Sequence, residues 1–270
     1  MDFSDAWKQL VTLWGTTRLP EEGVALALGG GAVLGAAHAG VLRALDEYGV
    51  RINRIAGTSI GALIATLYAF GKSPAEIEKI VTELDWLHIT SFTLSRYGLL
   101  SNEDLGKKVI AELGDVNFDK ARIPLALMAT DIASGKKVML TEGKVSPAVM
   151  ASSCIPGVYV PVEIGNRLLV DGGLVENVPV SPLREAGAEF IVGVDLNAGR
   201  HYQRPEDIID VLANAIDIAI DNATRLQTSD ADLIIAPQLA SYSRRDTSRI
   251  PELIEEGYRC ARQLLEKVKS

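Results

Sequence analysis

Gly57-Thr58-Ser59-Ile60-Gly61 is a G-x-S-x-G pentapeptide. The pattern is common, and its surroundings give it meaning. A short strand candidate, Ile52–Ala56, precedes it, and a nearly all-apolar segment, Gly61–Phe70, follows it. A serine in a sharp strand-to-helix turn projects its hydroxyl from the backbone. Flanking glycines, here Gly57 and Gly61, relieve crowding in such a turn. The following helix N-terminus favours negative charge. Ser59 is therefore a candidate nucleophile for acyl transfer. The bland alternative is an inert turn serine.

A serine nucleophile needs a base and a set of oxyanion donors. Asp171-Gly172-Gly173 follows the apolar Leu168-Leu169-Val170. A carboxylate at the end of a buried strand can reach a site formed by other strand ends. By itself Asp-Gly is also an ordinary turn. Gly29-Gly30-Gly31 ends the apolar run Val24–Leu28 and leads through Ala32-Val33-Leu34-Gly35 into a helical pattern. Successive glycines can aim several backbone N–H groups at one point, which suits a phosphate or an oxyanion. The nucleotide fingerprint G-x-G-x-x-G fails in both registers. Its last glycine would be Leu34 when read from Gly29, and its middle one Ala32 when read from Gly30.

The histidines offer a second base. Ser59, Asp171 and His201 stand in the chain order of an α/β-hydrolase triad. His201 lies in the polar stretch Gly199-Arg200-His201-Tyr202, which favours a solvent-facing ring. His38 sits in an apolar helix and reads as a core histidine. His88 has no partner suggested by sequence.

These groups need a frame to hold them. Val24–Leu28 and Ile52–Ala56 read as strands, and Ala36–Tyr48 and Gly61–Phe70 as helices. Ser73-Pro74-Ala75-Glu76 opens another helix, with Ser at the N-cap and Glu completing a capping box. Further strands are expected at Leu125–Ala129, Lys137–Leu140, Leu168–Val170, Phe190–Val194 and Leu233–Ala236. Long helices are expected at Pro205–Gln227 and Pro251–Lys269. In the first of these Ile208, Val211, Leu212, Ala215, Ile218, Ala219 and Asn222 share one face, expected to meet the core. Strands alternating with helices predict a three-layer α/β/α sandwich on a mostly parallel central sheet. Residues 21–270 form that domain. Residues 1–20 are expected to hold an N-terminal amphipathic helix, in which Phe3, Trp7, Leu10, Val11 and Trp14 share a face. That face packs on the domain or anchors at a lipid boundary. Trp86–Leu100, with Trp86, Phe92 and Tyr97, is the least regular stretch and a candidate cap over a pocket.

Composition narrows the function classes. Of 270 residues, 47% are hydrophobic, enough for a sizeable core. A formal net charge of -8 gives little attraction to phosphate backbones, so nucleic acid is not an expected partner. The two cysteines, Cys154 and Cys260, form no metal-ligand or disulfide pattern and read as free thiols in a reducing compartment. The N-terminus is polar and mixed in charge, so no signal peptide is expected and the expected location is the cytoplasm. The apolar runs Val24–Leu42 and Ile55–Phe70 are glycine-rich and read as buried core rather than membrane spans.

Taken together, the ordered segments resemble the patatin-like phospholipases over roughly Glu22 to Asn197. The glycine loop, G-T-S-I-G, Leu42-Arg43-Ala44-Leu45-Asp46-Glu47 and Ala129-Thr130-Asp131 with Gly135 all match in order. So do Ala151-Ser152-Ser153-Cys154-Ile155-Pro156-Gly157 and Asp171-Gly172-Gly173-Leu174-Val175-Glu176-Asn177-Val178-Pro179. The resemblance implies a patatin-like fold and a Ser59–Asp171 catalytic dyad. It implies an oxyanion loop at Gly30, Gly31 and Ala32, with Gly29, Gly35, Gly57, Gly61, Gly172 and Gly173 supporting it. It also implies hydrolysis of phospholipids, lysophospholipids or other lipid esters, with no metal and no organic cofactor; transient contact with a membrane surface is expected only through the Trp7 and Trp14 face. The family loop G-G-G-x-[RK]-G is broken twice, at Ala32 and at Leu34. An alanine there opposes a positive φ, and Leu34 removes a cation. Acyl transfer by the same dyad, or lipid binding by a weakened enzyme, are the competing functions.

Overall fold

Alternation of large and small side chains decides which layer covers each face of the sheet. In β1 (Val24–Leu28), Val24, Leu26 and Leu28 turn to one side, and Ala25 and Ala27 to the other. The neighbouring strands repeat this. β2 (Ile52–Thr58), whose register against β1 shifts by one residue after Ile52, divides into Ile52 and Ile55 against Ala56, and β5 (Leu125–Asp131) into Leu125 and Leu127 against Ala126. Successive side chains of a strand point to opposite faces, so the sequence writes a deep core on one side and a shallow one on the other. The computed structural model describes residues 19–84, 91–92, 100–202, 204–205, 208–244 and 246–269. The expected N-terminal helix with Trp7 and Trp14 lies outside them, as do Trp86, Tyr97 and most of the expected cap.

On the deep side, α1 (Ala37–Glu47), α2 (Ile60–Ala69), α3 (Pro74–Glu83) and α8 (Ile250–Lys269) close the main core. They contribute Leu42, Leu45, Leu63, Leu67, Ile77 and Leu253. The capping box of α3 forms as the sequence predicts: Ser73 Oγ accepts the Glu76 N–H at 3.3 Å, and the Ser73 N–H donates to Glu76 Oε2 at 2.8 Å. On the alanine side, α6 (Val180–Glu185) brings Val180 and Leu183 close to the sheet. Two further helices, α4 (Glu103–Leu113) and α5 (Val145–Ser152), pack on one another.

The sheet completes itself with β6 (Lys136–Leu140), β7 (Val162–Ile164), β8 (Arg167–Asp171), β9 (Ile191–Val194) and β10 (Leu233–Ile235). Its order is β10-β9-β1-β2-β5-β8-β7, with β6 also paired to β5. The run from β10 to β5 is parallel, and β6, β7 and β8 pair antiparallel. A two-residue pair, β3 (Ser91–Phe92) with β4 (Leu100–Ser101), stands apart from it. The result is the three-layer α/β/α architecture. The glycine-rich apolar runs are core strands and helices, and no described helix is long and apolar enough to cross a membrane. Both cysteines are free, Cys154 buried and Cys260 half-buried.

One expectation is reversed. The apolar face of α7 (Ile208–Gln227), expected to meet the core, is turned outward. Ile208, Val211, Leu212 and Ile218 are exposed, while Asp221 and Thr224 are buried. The cause is a set of ion pairs on the inner face. Asp217 accepts from both Arg200 and Arg244, and Asp221 from Arg200 and from the Tyr202 hydroxyl. Buried carboxylates are tolerated where cations and hydroxyls satisfy them. Hydrophobic periodicity locates the helix correctly but carries no information about those partners.

Candidate active site

The strand register brings two chain-distant residues to one place. On β5, Thr58 of β2 stands opposite Met128, and Asp171 of β8 stands opposite the next residue, Ala129. β6 occupies the other edge of β5 from Leu127 to Asp131, so β2 and β8 share a single edge, end to end. Ser59 follows Thr58 directly. The end of β2 and the end of β8 therefore meet.

Ser59 is held in a strained turn, with φ 56° and ψ -126° at the N-cap of α2. A non-glycine residue in such a region costs on the order of 1–3 kcal/mol, and the surrounding structure must hold it there. Gly57 and Gly61 permit the turn. A Cβ on Gly57 would lie 2.3 Å from the Gly61 carbonyl oxygen, and one on Gly61 would lie 2.2 Å from that of Leu28. Two hydrogen bonds fix the turn from outside. The Ser59 N–H donates to Ser152 Oγ at 3.0 Å, and Thr58 Oγ1 donates to the Glu176 carbonyl at 3.0 Å.

Asp171 closes β8 deep among protein atoms, with one side open to a cavity. Burial pushes its pKa from the usual carboxylate value up to about 6. The Gly173 N–H, 2.8 Å from Oδ1, the Ser59 hydroxyl and the Arg244 charge each pull it partly back. Its backbone is anchored as well. The Asp171 N–H donates to the Cys154 carbonyl at 2.8 Å, and Thr130 Oγ1 donates to the Asp171 carbonyl at 2.9 Å. Gly172 packs directly on the Met128 carbonyl, and Gly173 lines the cavity beside the carboxyl.

The glycine loop divides its work differently from the expectation. Gly30 is not a free oxyanion donor. Its N–H is committed to Asn177, 3.3 Å from the carbonyl and 3.2 Å from Oδ1. Gly30 also lies close beneath the serine, since a Cβ there would come within 3.1 Å of Ser59 Cβ. The Gly31 and Ala32 amides donate to no partner among the described residues, and both residues line the cavity. Ala32 adopts φ 51° despite its methyl group. The sequence departure at this position therefore leaves the left-handed turn in place and strains it. Gly29 sits at the sheet end, with its N–H on the Val194 carbonyl at 3.1 Å, and Gly35 packs against Ile60.

His38 supports the loop from below. It is fully buried, with Nε2 2.8 Å from the Gly29 carbonyl, and burial drives its pKa down to about 4. The ring is neutral, and Nε2–H donates to Gly29. His201 is exposed and does not line the cavity, and His88 lies outside the described residues. Geometry thus offers Ser59 a carboxyl and no described imidazole.

The cavity measures about 410 Å³. Ser59, Asp171, Gly31 and Ala32 line it together, and Leu63, Leu84, Leu105 and Ile220 are among its apolar walls. Arg244, Asp217 and Asn197 form a polar side. There Arg244 donates to Asp217 Oδ1 at 2.9 Å and to Asn197 Oδ1, while Asn197 Nδ2 donates to the Gly30 carbonyl at 3.2 Å. The sequence assigns no role to Asn197 or Arg244, and Ser152 is visible in it only as part of the Ala151–Gly157 block. Asn177 was visible only as part of the Asp171-Gly172-Gly173 block.

A family model described as patatin-like phospholipase matches residues 26–184, more than half of the chain. The chain belongs to the patatin-like phospholipase family. The matched span runs from the first strand to α6 and includes Ser59, Asp171 and the glycine loop of this patatin-like domain. Among curated relatives, an uncharacterized NTE family protein of Mycobacterium tuberculosis, Rv1063c, is 38% identical over 176 residues, covering 64% of this chain and 49% of that protein. The lysophospholipase nte1 of Aspergillus fumigatus is 25% identical over 287 residues, covering 94% of this chain and 19% of that one. The patatin-like domain thus spans half or less of the length of these relatives. Among solved structures, VipD of Legionella pneumophila aligns with a TM-score of 0.64 at 15% identity, over 92% of this chain and 67% of that one. ExoU of Pseudomonas aeruginosa, in complex with SpcU, aligns with a TM-score of 0.51 at 14% identity, over 93% and 53%. At those identities the likeness concerns the fold.

Proposed function

We propose that this domain is a lipid acyl hydrolase in which Ser59 is the nucleophile and Asp171 the base. The observation that carries the reading is the meeting of a serine in a strained turn and a carboxyl enclosed by protein at one strand edge, beside two amides that have no partner among the described residues. Ser59 Oγ attacks the ester carbonyl carbon as its proton passes to Asp171. The carbonyl oxygen becomes an oxyanion and accepts from the Gly31 and Ala32 N–H groups. One such donor is typically worth about 3–4 kcal/mol in the transition state. Collapse of the intermediate breaks the ester C–O bond, and the leaving alkoxide takes the proton from Asp171. Water then repeats the sequence on the acyl-serine, giving a fatty acid and free Ser59.

The pKa of Asp171 suits this role. An ordinary carboxylate is too weak a base for a hydroxyl, and elevation to about 6 brings it nearer to working pH while leaving it ionised there. The apolar walls suit an acyl chain. The nte1 relative is named a lysophospholipase, which makes lysophospholipids the first substrates to try.

The test is a panel of p-nitrophenyl esters and lysophospholipids with wild type, Ser59→Ala and Asp171→Asn, alongside fluorophosphonate labelling. Wild type should hydrolyse and label, and Ser59→Ala should do neither. A protein that binds lipid without labelling would instead be a binding module. An added alcohol that captures the acyl group would reveal transfer by the same serine.

A further inference from the structure

Helix α7 presents its apolar stripe to solvent. Ile208 is 69% exposed, Leu212 58%, Val211 46% and Leu226 77%. Ile208, Val211 and Leu212 stand three and four residues apart, and at 3.6 residues per turn they share one side of the helix with Ile218, Ala219 and Leu226, none of them charged. The opposite side is committed to the ion pairs of Asp217 and Asp221. Rotation of the helix to bury the stripe would break those pairs, so the outward face is fixed. Contiguous apolar patches on a soluble surface mark sites of interaction.

The stripe adjoins the cavity. Ile216 and Ile220, one turn apart on the same helix, line it. At the cavity rim Ile155 is both a lining residue and 42% exposed, with Val158 three residues on and also exposed. Apolar surface therefore leads from the outside of α7 toward Ser59 and Asp171.

We propose that this face of α7 docks on a zwitterionic lipid surface, from which the cavity draws its substrate. The inference rests on the lipid-hydrolase reading for its purpose. Charge selects the kind of surface. Interfacial helices bind anionic lipid through several lysines and arginines, whereas Ile208–Gln227 holds Arg225 alone against Asp210, Asp217 and Asp221, and the chain carries a net charge of -8. Membranes rich in anionic lipid would repel it, whereas phosphatidylcholine would not. A second copy of the chain seated on α7 would crowd the rim through which substrate must pass.

The experiment is sedimentation of the full chain with phosphatidylcholine vesicles, comparing wild type with Leu212→Glu. Leu212 is exposed and lies outside the catalytic machinery, so the variant should fold and hydrolyse a soluble short-chain ester as wild type does. Wild type should partition to vesicles, and Leu212→Glu should do so at least tenfold more weakly. Wild type that stays in the supernatant, or a variant that binds equally well, overturns the proposal. A wild-type dimer that Leu212→Glu converts to monomer also overturns it and assigns the face to a second copy. Failure on the soluble ester with vesicle binding intact refutes the hydrolase reading and leaves the docking face standing.

Discussion

Ser59 and Asp171, 112 positions apart in sequence, are neighbours because their strands share one edge of β5 at consecutive residues, Met128 and Ala129. A register slip of one residue in β8 would send Asp171 to the opposite face. Enclosure of Asp171 by protein raises its pKa against the opposing pull of the Ser59 hydroxyl, and that elevation is measurable.

Activity on a soluble ester should therefore show an acid limb. Asp171 accepts a proton only when ionised, so kcat/KM should rise with pH through an apparent pKa of about 6 and then level off. Ser59→Ala and Asp171→Asn should each lower turnover by roughly 10³-fold or more. A profile flat from pH 5 to 8 would remove Asp171 from the base role.

The same carboxyl should destabilise the fold at neutral pH. Its folded pKa, about 6, lies above the ordinary 3.8, so between those values the native state binds more protons than the unfolded chain. Its contribution to stability is fully present below about pH 4 and is lost as pH rises through 6. Asp171→Asn escapes that loss. It should be more stable than wild type by about 2–3 kcal/mol at pH 8, at 1.36 kcal/mol per pKa unit, and indistinguishable near pH 4. Urea unfolding at the two pH values checks this, and equal stabilities at pH 8 would refute it.

The fold and the two candidate side chains that meet at the strand edge, Ser59 and Asp171, were legible in the sequence for a shared reason. Each belongs to a short local pattern with its own mechanism, such as glycines around a tight turn, an aspartate after an apolar strand, or a capping box at Ser73. The partners of these groups were not legible. Asn177 captures the Gly30 amide across 147 residues, and Asp217 meets Arg244 across 27. Nothing local in either segment announces the pairing. The same blindness turned α7 the wrong way, because hydrophobic spacing ranked Leu212 above Asp221 for burial and the arginines decided otherwise.

Ala32 supplies a test of strain. Its φ of 51° is a conformation that glycine adopts at no steric cost, and alanine pays on the order of 1 kcal/mol for it. Ala32→Gly should relieve that strain, although the unfolded chain gains entropy that offsets part of the benefit. A thermal unfolding shift between zero and an increase of a few degrees is expected, with the Ser59-dependent rate retained because the amide stays in place. A destabilisation above about 1 kcal/mol would mean that the methyl group contributes packing that outweighs the strain.

Arg244 should tune the base from across the cavity. Its positive charge is among the influences that hold the Asp171 pKa down against burial, and it reaches the glycine loop through Asn197 and the Gly30 carbonyl. Arg244→Gln removes the charge while keeping hydrogen-bonding capacity. The acid limb of the rate profile should then move to higher pH, and Arg244→Lys should move it back toward the wild-type position. A loss of rate without a shift of the limb would mean that Arg244 only braces the loop. A shift in Arg244→Gln that lysine reverses would mean that its charge acts on Asp171 directly, because a bracing role depends on the planar guanidinium fork, which lysine lacks.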